Sequence, residues 1–336
     1  MKETLEEICR GNDLSMEASS RVFTRLIAGE LSEVEITALV MALKTKGEAP
    51  AEIAGAAQAL REAAVAFPRP DYAFVDTCGT GGDGAGTVNV STAVAVVAAG
   101  MGVPVAKHGN RSVSSKCGSA DVLERLGVRL DAPPEVARRC LDETGICFLF
   151  APQYHAGVRF AMPVRRALAI RTIFNLLGPL VNPARPAYQV MGVYDPKLCV
   201  PMAETLALLG TERALIVNGC GLDELAIHGP TTAAMLQDGE VIELEISPEE
   251  AGLRRYSLSD LAGGEPEENA RWFQKLLAGE GTEAHNAAVA LNAGAVAWLA
   301  GKSETLADGA RDALETLQSG ELIRRFEEFA RISHGS

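Results

Sequence analysis

Aromatic residues are scarce in this sequence. Two Trp, five Tyr and ten Phe make up 5% of 336 residues, while 47% are hydrophobic. That balance suits an α/β protein whose core is built from Ala, Val and Leu. Basic residues are also outnumbered, 31 against 44 acidic ones, for a net charge of −13. Such a surface argues against a nucleic-acid partner and against an anionic membrane. Any anionic ligand must then be held by local cations and backbone amides. The seven cysteines are scattered, odd in number and without a C-x-x-C pair. This excludes a disulfide framework or a zinc site of the usual spacing and suits reduced thiols in cytoplasm. Long apolar runs are missing too. The longest, Ala93 to Ala106, contains Gly and Pro and is too short to span a bilayer. The N-terminal stretch lacks the apolar centre of a signal peptide. No lysine follows the first glycine turn as in a P-loop, and its spacing is not the dinucleotide pattern.

What is present centres on residues 76–127. Two glycine-rich turns lie about thirty residues apart there, each read as following a strand and feeding a helix. The first runs Gly79-Thr80-Gly81-Gly82-Asp83-Gly84, after an expected strand at 72–75. Ser91 and Thr92 are expected to cap a helix over Ala93 to Ala99. The second, Lys107-His108-Gly109-Asn110-Arg111-Ser112, follows an expected strand at 103–106. It adds two cations and the hydroxyls of Ser112, Ser114, Ser115 and Ser119. Glycines let successive N–H groups converge on an anion, and a helix start adds partial positive charge. A single glycine turn is commonly only a turn. Two in one short unit, one of them basic, point to a ligand with more than one phosphate.

The remainder gives a coarse order. Residues 1–66 read as helices, with a capping box at Ser32 and Glu35 and an apolar face of Ile36, Leu39, Val40 and Leu43. Pro50 suits the first turn of an alanine-rich helix reaching Ala66, and Phe67 to Pro70 forms a hinge. Strands then alternate with helices. Helices are expected at 120–126, 134–143 and 160–180, and strands at 128–130, 146–150, 188–194 and 214–217. Met235 to Ile246 reads as a hairpin turning on Asp238-Gly239, and residues 283–332 as mostly helical. Alternation of this kind favours a sheet covered by helices, with parallel strands predominating. Adjacent carboxylates at Asp223-Glu224 are either a solvated turn or oxygen ligands for Mg²⁺, with Asp83 and Glu124 as weaker candidates. Arg165 and Arg166 are either surface residues of a helix or planar partners for a carboxylate.

Several motifs resemble the anthranilate phosphoribosyltransferase family of tryptophan biosynthesis over nearly the whole chain. They are GTGGD from Gly79 to Asp83, N-x-S-T from Asn89 to Thr92, the KHGNR stretch from Lys107 to Glu124, FLFAPQYH, MPVRRALAIRTIFNLLGPLVNP and GLDE. The resemblance implies a small N-terminal helical domain and a larger α/β domain with a mainly parallel central sheet, as in nucleoside phosphorylases and phosphoribosyltransferases. Residues 1–68, joined by roughly 160–185, form the first; 69–159 and 186–336 form the second. It implies that Gly79, Gly82, Asp83, Thr87, Asn89, Ser91, Thr92, Lys107 and Ser119 bind phosphoribosyl pyrophosphate. Gly79, His108, Asn110 and Arg165 would face anthranilate, with His155 and Arg171 as further candidates. Lys107 and Arg165 would be catalytic. Ser91, Asp223 and Glu224 would hold Mg²⁺. Asn218 departs from the histidine that many members carry. The family also implies a homodimer joined through the N-terminal helices, whose apolar faces at 32–44 and 51–66 supply a motive. An alternative is the related pyrimidine nucleoside phosphorylase type, which takes free phosphate. KHGNR together with GLDE favours the transferase. A non-enzymatic relative binding nucleic acid is opposed by the net charge. The usual phosphoribosyltransferase signature, two acidic residues entering a Thr/Gly loop, is absent.

Overall fold

The computed structural model describes residues 1–111 and 117–335. Ser112, Ser114 and Ser115 of the second turn lie outside the described residues. Four helices come first: α1 (Lys2–Cys9), α2 (Met16–Ile27), α3 (Glu33–Lys46) and α4 (Pro50–Glu62). The expected capping box is formed. Glu35 N–H donates to Ser32 Oγ at 3.3 Å, and Ser32 N–H donates to Glu35 Oε2 at 2.9 Å. Ile36, Leu39, Val40 and Leu43 are buried as their spacing requires. α4 stops at Glu62, four residues before the expected end at Ala66. Its small residues have a packing reason. A Cβ on Gly55 would collide with the Met16 carbonyl and stand 2.7 Å from Ser19 Cβ, so α2 lies directly on α4.

After the linker the chain alternates. β1 (Val75–Gly79) leads to α5 (Val90–Gly100), and β2 (Val105–Gly109) leads to α6 (Ser119–Arg125) and α7 (Pro134–Thr144). β3 (Ile146–Phe150) runs into the short α8 (Ala151–Tyr154), followed by α9 (Met162–Leu168) and α10 (Phe174–Leu180). β4 (Tyr188–Gly192), α11 (Cys199–Leu208) and β5 (Arg213–Gly219) precede the hairpin of β6 (Thr231–Gln237) and β7 (Glu240–Ile246). The hairpin turns on Asp238 and Gly239, both at positive φ, as a two-residue primed turn requires. Four helices close the chain: α12 (Pro266–Leu277), α13 (Glu283–Leu299), α14 (Leu306–Gln318) and α15 (Leu322–Ser333).

The sheet order is β3-β2-β1-β4-β5-β6-β7, with the first five strands parallel and the last two antiparallel. One face is covered by α5, α13 and their neighbours. The other is covered by α11 and the N-terminal helices. The molecule is thus a small N-terminal helical domain beside a larger α/β domain. Between β1 and β4 the strand order reverses, and there the connections leave the sheet on opposite faces. Ligands of open α/β sheets bind in the crevice this creates, at the carboxyl ends of the strands.

Three expectations need correction. The strand sought at 72–75 lies at Val75–Gly79, and the one sought at 103–106 lies at Val105–Gly109. Both hold buried polar residues (Asp76, Thr77, Lys107 and His108), so hydrophobicity stops marking the strand where the site begins. Lys107 therefore stands in a strand and not in a turn. Residues 128–130 form no strand; they make the turn between α6 and α7. Finally, α5 starts at Val90 with Asn89 at its N-cap, which leaves Ser91 and Thr92 inside the first turn.

Glu52 on α4 is fully buried and escaped sequence reading. It accepts from Lys46 Nζ at 2.9 Å, Leu14 N at 3.0 Å and Ala49 N at 2.8 Å. One carboxylate thus ties α4 to α3 and to the loop before α2. Removing one partner of a buried ion pair leaves the other uncompensated, at roughly 3 kcal/mol. Glu52→Ala should lower stability by about that much in urea unfolding. Loss below about 1 kcal/mol would show the tie to be dispensable.

Candidate active site at the carboxyl edge of the sheet

Gly79, Gly192 and Gly219 end β1, β4 and β5. Gly79 and Gly192 are register partners, so the sheet edge at the reversal point carries no side chain there. The segment Asp223-Glu224 lies across it. A Cβ on Gly192 would overlap the Asp223 backbone, one on Gly79 would overlap the Asp223 carboxylate, and one on Gly219 would overlap the Glu224 carbonyl. Sequence reading found Gly79 but missed Gly192 and Gly219. Their signal was a glycine directly following an apolar strand. Asn218 secures the turn before the pair, donating to the Val193 carbonyl at 2.7 Å and accepting from Gly221 N at 3.0 Å.

The first glycine loop folds over this acidic pair. Gly81, Gly82, Gly84 and Gly86 all take left-handed φ, which only glycine adopts freely. Thr80 N donates to the Gly192 carbonyl at 2.9 Å, and Gly81 N donates to Asp223 Oδ2 at 2.7 Å. Ala85 N is taken by Asp83 Oδ1 at 3.1 Å. Among the described residues the amides of Gly82, Asp83 and Gly84 have no protein acceptor. These three consecutive donors are available to an anion. Gly82 presents its carbonyl to Arg171, whose guanidinium lies 4.0 Å from the Tyr194 ring centroid. The far end of the loop is anchored by a bridge from Thr87 to Ala262.

The first turn of α5 closes the floor. Ser91 N donates to Glu224 Oε1 at 3.2 Å, so the positive end of the helix meets the carboxylate. Lys107, 2% exposed, donates to the Thr77 carbonyl and reaches Ser91 Oγ at 3.3 Å. Thr92 is buried, and its hydroxyl has no partner among the described residues. Asn89 donates to the Cys117 carbonyl and accepts from Asn269, both at 3.0 Å. Ser119 begins α6 beside Gly109.

Electrostatics at this floor are unbalanced. Burial and the neighbouring Asp83 push Asp223 up to about 6 against the Gly81 N–H. Burial and Asp223 push Glu224 well above the carboxylate range. Burial pulls Lys107 down, against Asp76, Cys78, Glu224 and Asp223. Asp76 lies beneath, with burial raising it to about 6 and one oxygen accepting from His108 N at 3.2 Å. Carboxylates this desolvated call for a cation that prefers oxygen. Among the described residues no three His, Cys, Asp or Glu side chains form a ready-made metal cage. Glu124 and Arg111 are absorbed elsewhere: they form a bidentate pair, both bonds 2.8 Å.

Beside the floor, His108 Nδ1 is 3.2 Å from the Gly178 carbonyl. A carbonyl only accepts, so Nδ1 carries the proton. Burial, and then the nearby His155, pull His108 down to about 3, so its ring is neutral. Its Nε2 is buried without a partner among the described residues. His155 packs edge-on at 5.3 Å, with burial lowering it to about 4. Arg165 on α9 sits over Phe174 at 5.4 Å; burial lowers its pKa, and no carboxylate faces it among the described residues. Asn110 is exposed just beyond β2.

This edge has close counterparts. The sequence matches the glycosyl transferase family a/b domain over residues 71–323 and that family's helical bundle domain over residues 2–64. Anthranilate phosphoribosyltransferase of Sorangium cellulosum is 60% identical over 333 residues, covering 99% of this chain and 96% of the relative. The chain belongs to the anthranilate phosphoribosyltransferase family. The Aeromonas hydrophila member is 54% identical, covering 99% of this chain and 98% of its own. Among solved structures, the Thermus thermophilus member superposes with a TM-score of 0.94 at 45% identity, covering 98% and 99% of the two chains. The Saccharomyces cerevisiae member, solved in complex with PRPP and Mg, gives 0.88 at 26% identity, covering 100% and 99%.

The side-chain-free edge predicts an asymmetry between two glycines. Gly192→Ala forces backbone apart and should cost on the order of 3 kcal/mol. Gly178→Ala, where a Cβ meets nothing within 4 Å, should be neutral or slightly stabilising. Thermal unfolding of both variants checks this. A Gly192→Ala protein as stable as the parent would refute the close approach.

Proposed function

We infer that the chain transfers the phosphoribosyl group of phosphoribosyl pyrophosphate to the amine of anthranilate. The products are N-(5-phosphoribosyl)anthranilate and pyrophosphate, a step of tryptophan biosynthesis. The observation that carries this reading is the meeting, at one sheet edge, of three unspent loop amides with a desolvated carboxylate pair. An anion cradle beside carboxylates repels its ligand unless a cation lies between. A nucleoside phosphorylase of this fold takes free phosphate and has no need of that pair.

The donor set fits Mg²⁺, which uses one or two carboxylates and draws its other oxygens from phosphates. Asp223, Glu224 and the Ser91 hydroxyl would hold it. When bound, Mg²⁺ offsets the negative charge that builds on the departing pyrophosphate. The chain's own groups do the rest. The amides of Gly82, Asp83 and Gly84 receive phosphate oxygens, and Gly79, Thr87, Asn89, Thr92 and Ser119 shape the surrounding wall. Lys107 lies under the loop and adds fixed positive potential close to Ser91.

The aniline nitrogen is a weak nucleophile, because its lone pair is shared with the ring. It is neutral at pH 7, so no strong base is required. Neutral His108 can accept from the amine N–H through Nε2, and Asn110 lies two residues on. Arg165, with no acid partner, supplies a planar guanidinium for the anthranilate carboxylate. Holding the amine over the ribose carbon supplies the orientation term. We propose that residues 1–68 with 160–185 move as the helical domain against 69–159 with 186–336, closing over the site to exclude water. Contacts of α9 with α3 and of α10 with α4 support this grouping. The seven free cysteines suit a cytoplasmic protein. We also propose a homodimer. The apolar faces of α3 and α4 that first suggested it pack within the chain, leaving Val34, 78% exposed, on the outer side of α3. Light scattering should give twice 35.4 kDa; a monomer at micromolar concentration would remove the dimer.

Loss of anthranilate fluorescence with phosphoribosyl pyrophosphate and Mg²⁺ tests the activity directly. In that assay, Asp223→Asn with Glu224→Gln should lower kcat by about 100-fold or more and move the Mg²⁺ requirement upward. An unchanged Mg²⁺ curve with near-normal kcat would return the metal role to Asp83. Arg165→Ala should raise the anthranilate KM by roughly tenfold or more while the other substrate's KM stays within about twofold. Equal effects on both substrates would remove Arg165 from the anthranilate side.

A further inference from the structure

The opposite end of the sheet holds a second concentration of positive charge. Arg61 lies near the C-terminal end of α4, Arg69 lies in the linker that follows, and Arg185 lies in the turn entering β4. All three line a cavity of about 330 Å³. Thr211 and Glu212, just before β5, form another wall. The strands are parallel, so this cavity and the glycine loop stand at opposite ends of β4. A five-residue strand is roughly 16 Å long.

All three guanidiniums donate to main-chain carbonyls. Arg61 Nε donates to Leu180 O at 2.6 Å, Arg69 Nη2 to Arg185 O at 2.8 Å and Arg185 Nη2 to Arg61 O at 3.5 Å. None forms an ion pair among the described residues. The two acids of the wall do not compensate: Glu62 accepts from Gln58 at 2.8 Å, and Glu212 pairs with none of the three. Arginines elsewhere often hold an acid, in a chain with 44 acidic residues and 31 basic ones. Arg10, Arg25, Arg111, Arg129, Arg138, Arg255 and Arg331 each hold a carboxylate. Burial, then Arg185 and Arg69, pull Arg61 down to about 10, against the opposing charge of Asp76. Arg185 adopts φ +51, a left-handed conformation that costs a side chain about 1 kcal/mol or more. The like charge gathered at this cavity is relieved by an anion.

We propose that this cavity binds a small, multiply charged oxyanion of the phosphate class, separately from the substrate site. Arg69 and Arg185, both exposed, supply mobile forks, and Arg61 supplies a fixed charge. Arg61 and Arg69 flank the crossing after residue 68, and Arg185 stands at the crossing before residue 186, so a bound oxyanion bridges two of the three places where the chain passes between the helical and α/β parts.

The test is calorimetric titration of the full chain with inorganic phosphate at constant ionic strength. Phosphate binding at the glycine loop, as proposed above, is expected to be the same in parent and variant. The parent should show a second phosphate site, and Arg69→Gln with Arg185→Gln should weaken that site at least tenfold. Because Arg61 is left in place and like charge is removed, the phosphate-free variant should melt at or above the parent's temperature. A single site in the parent, or equal isotherms for parent and variant, would overturn the proposal. A variant that melts several degrees below the parent would assign the arginines to holding the linker and would also overturn it.

Discussion

Everything at the carboxyl edge depends on one close approach: the backbone of Asp223 lying on strand ends that have no side chains. Gly79, Gly192 and Gly219 let the acidic pair descend to the level of the sheet. There it meets the Gly81 amide and the first turn of α5. The loop geometry, the orientation of Ser91 and the location of Lys107 all follow from that depth. Raised by one side chain, the pair would sit in solvent and lose the desolvation that makes a cation necessary.

The site is therefore built by subtraction as much as by chemistry. Asp76, Lys107, Asp223 and Glu224 are ionisable groups in a small buried volume, and the protein pairs only some of them directly. Protein interiors normally satisfy such groups. Keeping them unsatisfied costs stability, and under the proposed function substrate and metal would complete the set. On the other side, His108 is neutral and Arg165 faces no carboxylate among the described residues; under the same proposal each would take one half of a carboxylate-bearing amine.

Much of this was legible in the sequence, for identifiable reasons. The capping box, the first-turn Pro50 and the Asp238-Gly239 turn are local signals that tertiary structure had no cause to override. The parallel sheet was legible from alternation, and strand β3 from its apolar run. What failed was the reading of β1 and β2, where polar residues occupy central strand positions because the site needs them there. Lys107 therefore reads as a loop cation in sequence and stands in a strand in the fold. Gly192 and Gly219 were passed over because a close approach is a relation between distant segments. Arg111 and Glu124 looked like free ligands until the fold paired them. The buried Glu52 looked like one more polar residue in an alanine-rich helix.

The core beneath the helical part has a consequence for how the chain is made. α2, α3 and α4 bury their apolar faces together with Ala161, Leu176, Leu177, Met202 and Leu206, and against Met191 and Ile216 of the sheet. Those partners emerge from the ribosome more than a hundred residues later. The first sixty residues can form helices at once, yet they cannot complete a core until α11 and β5 have been synthesised. During that interval a nascent chain carries exposed Leu and Ile surface, the kind of surface on which aggregation competes with folding.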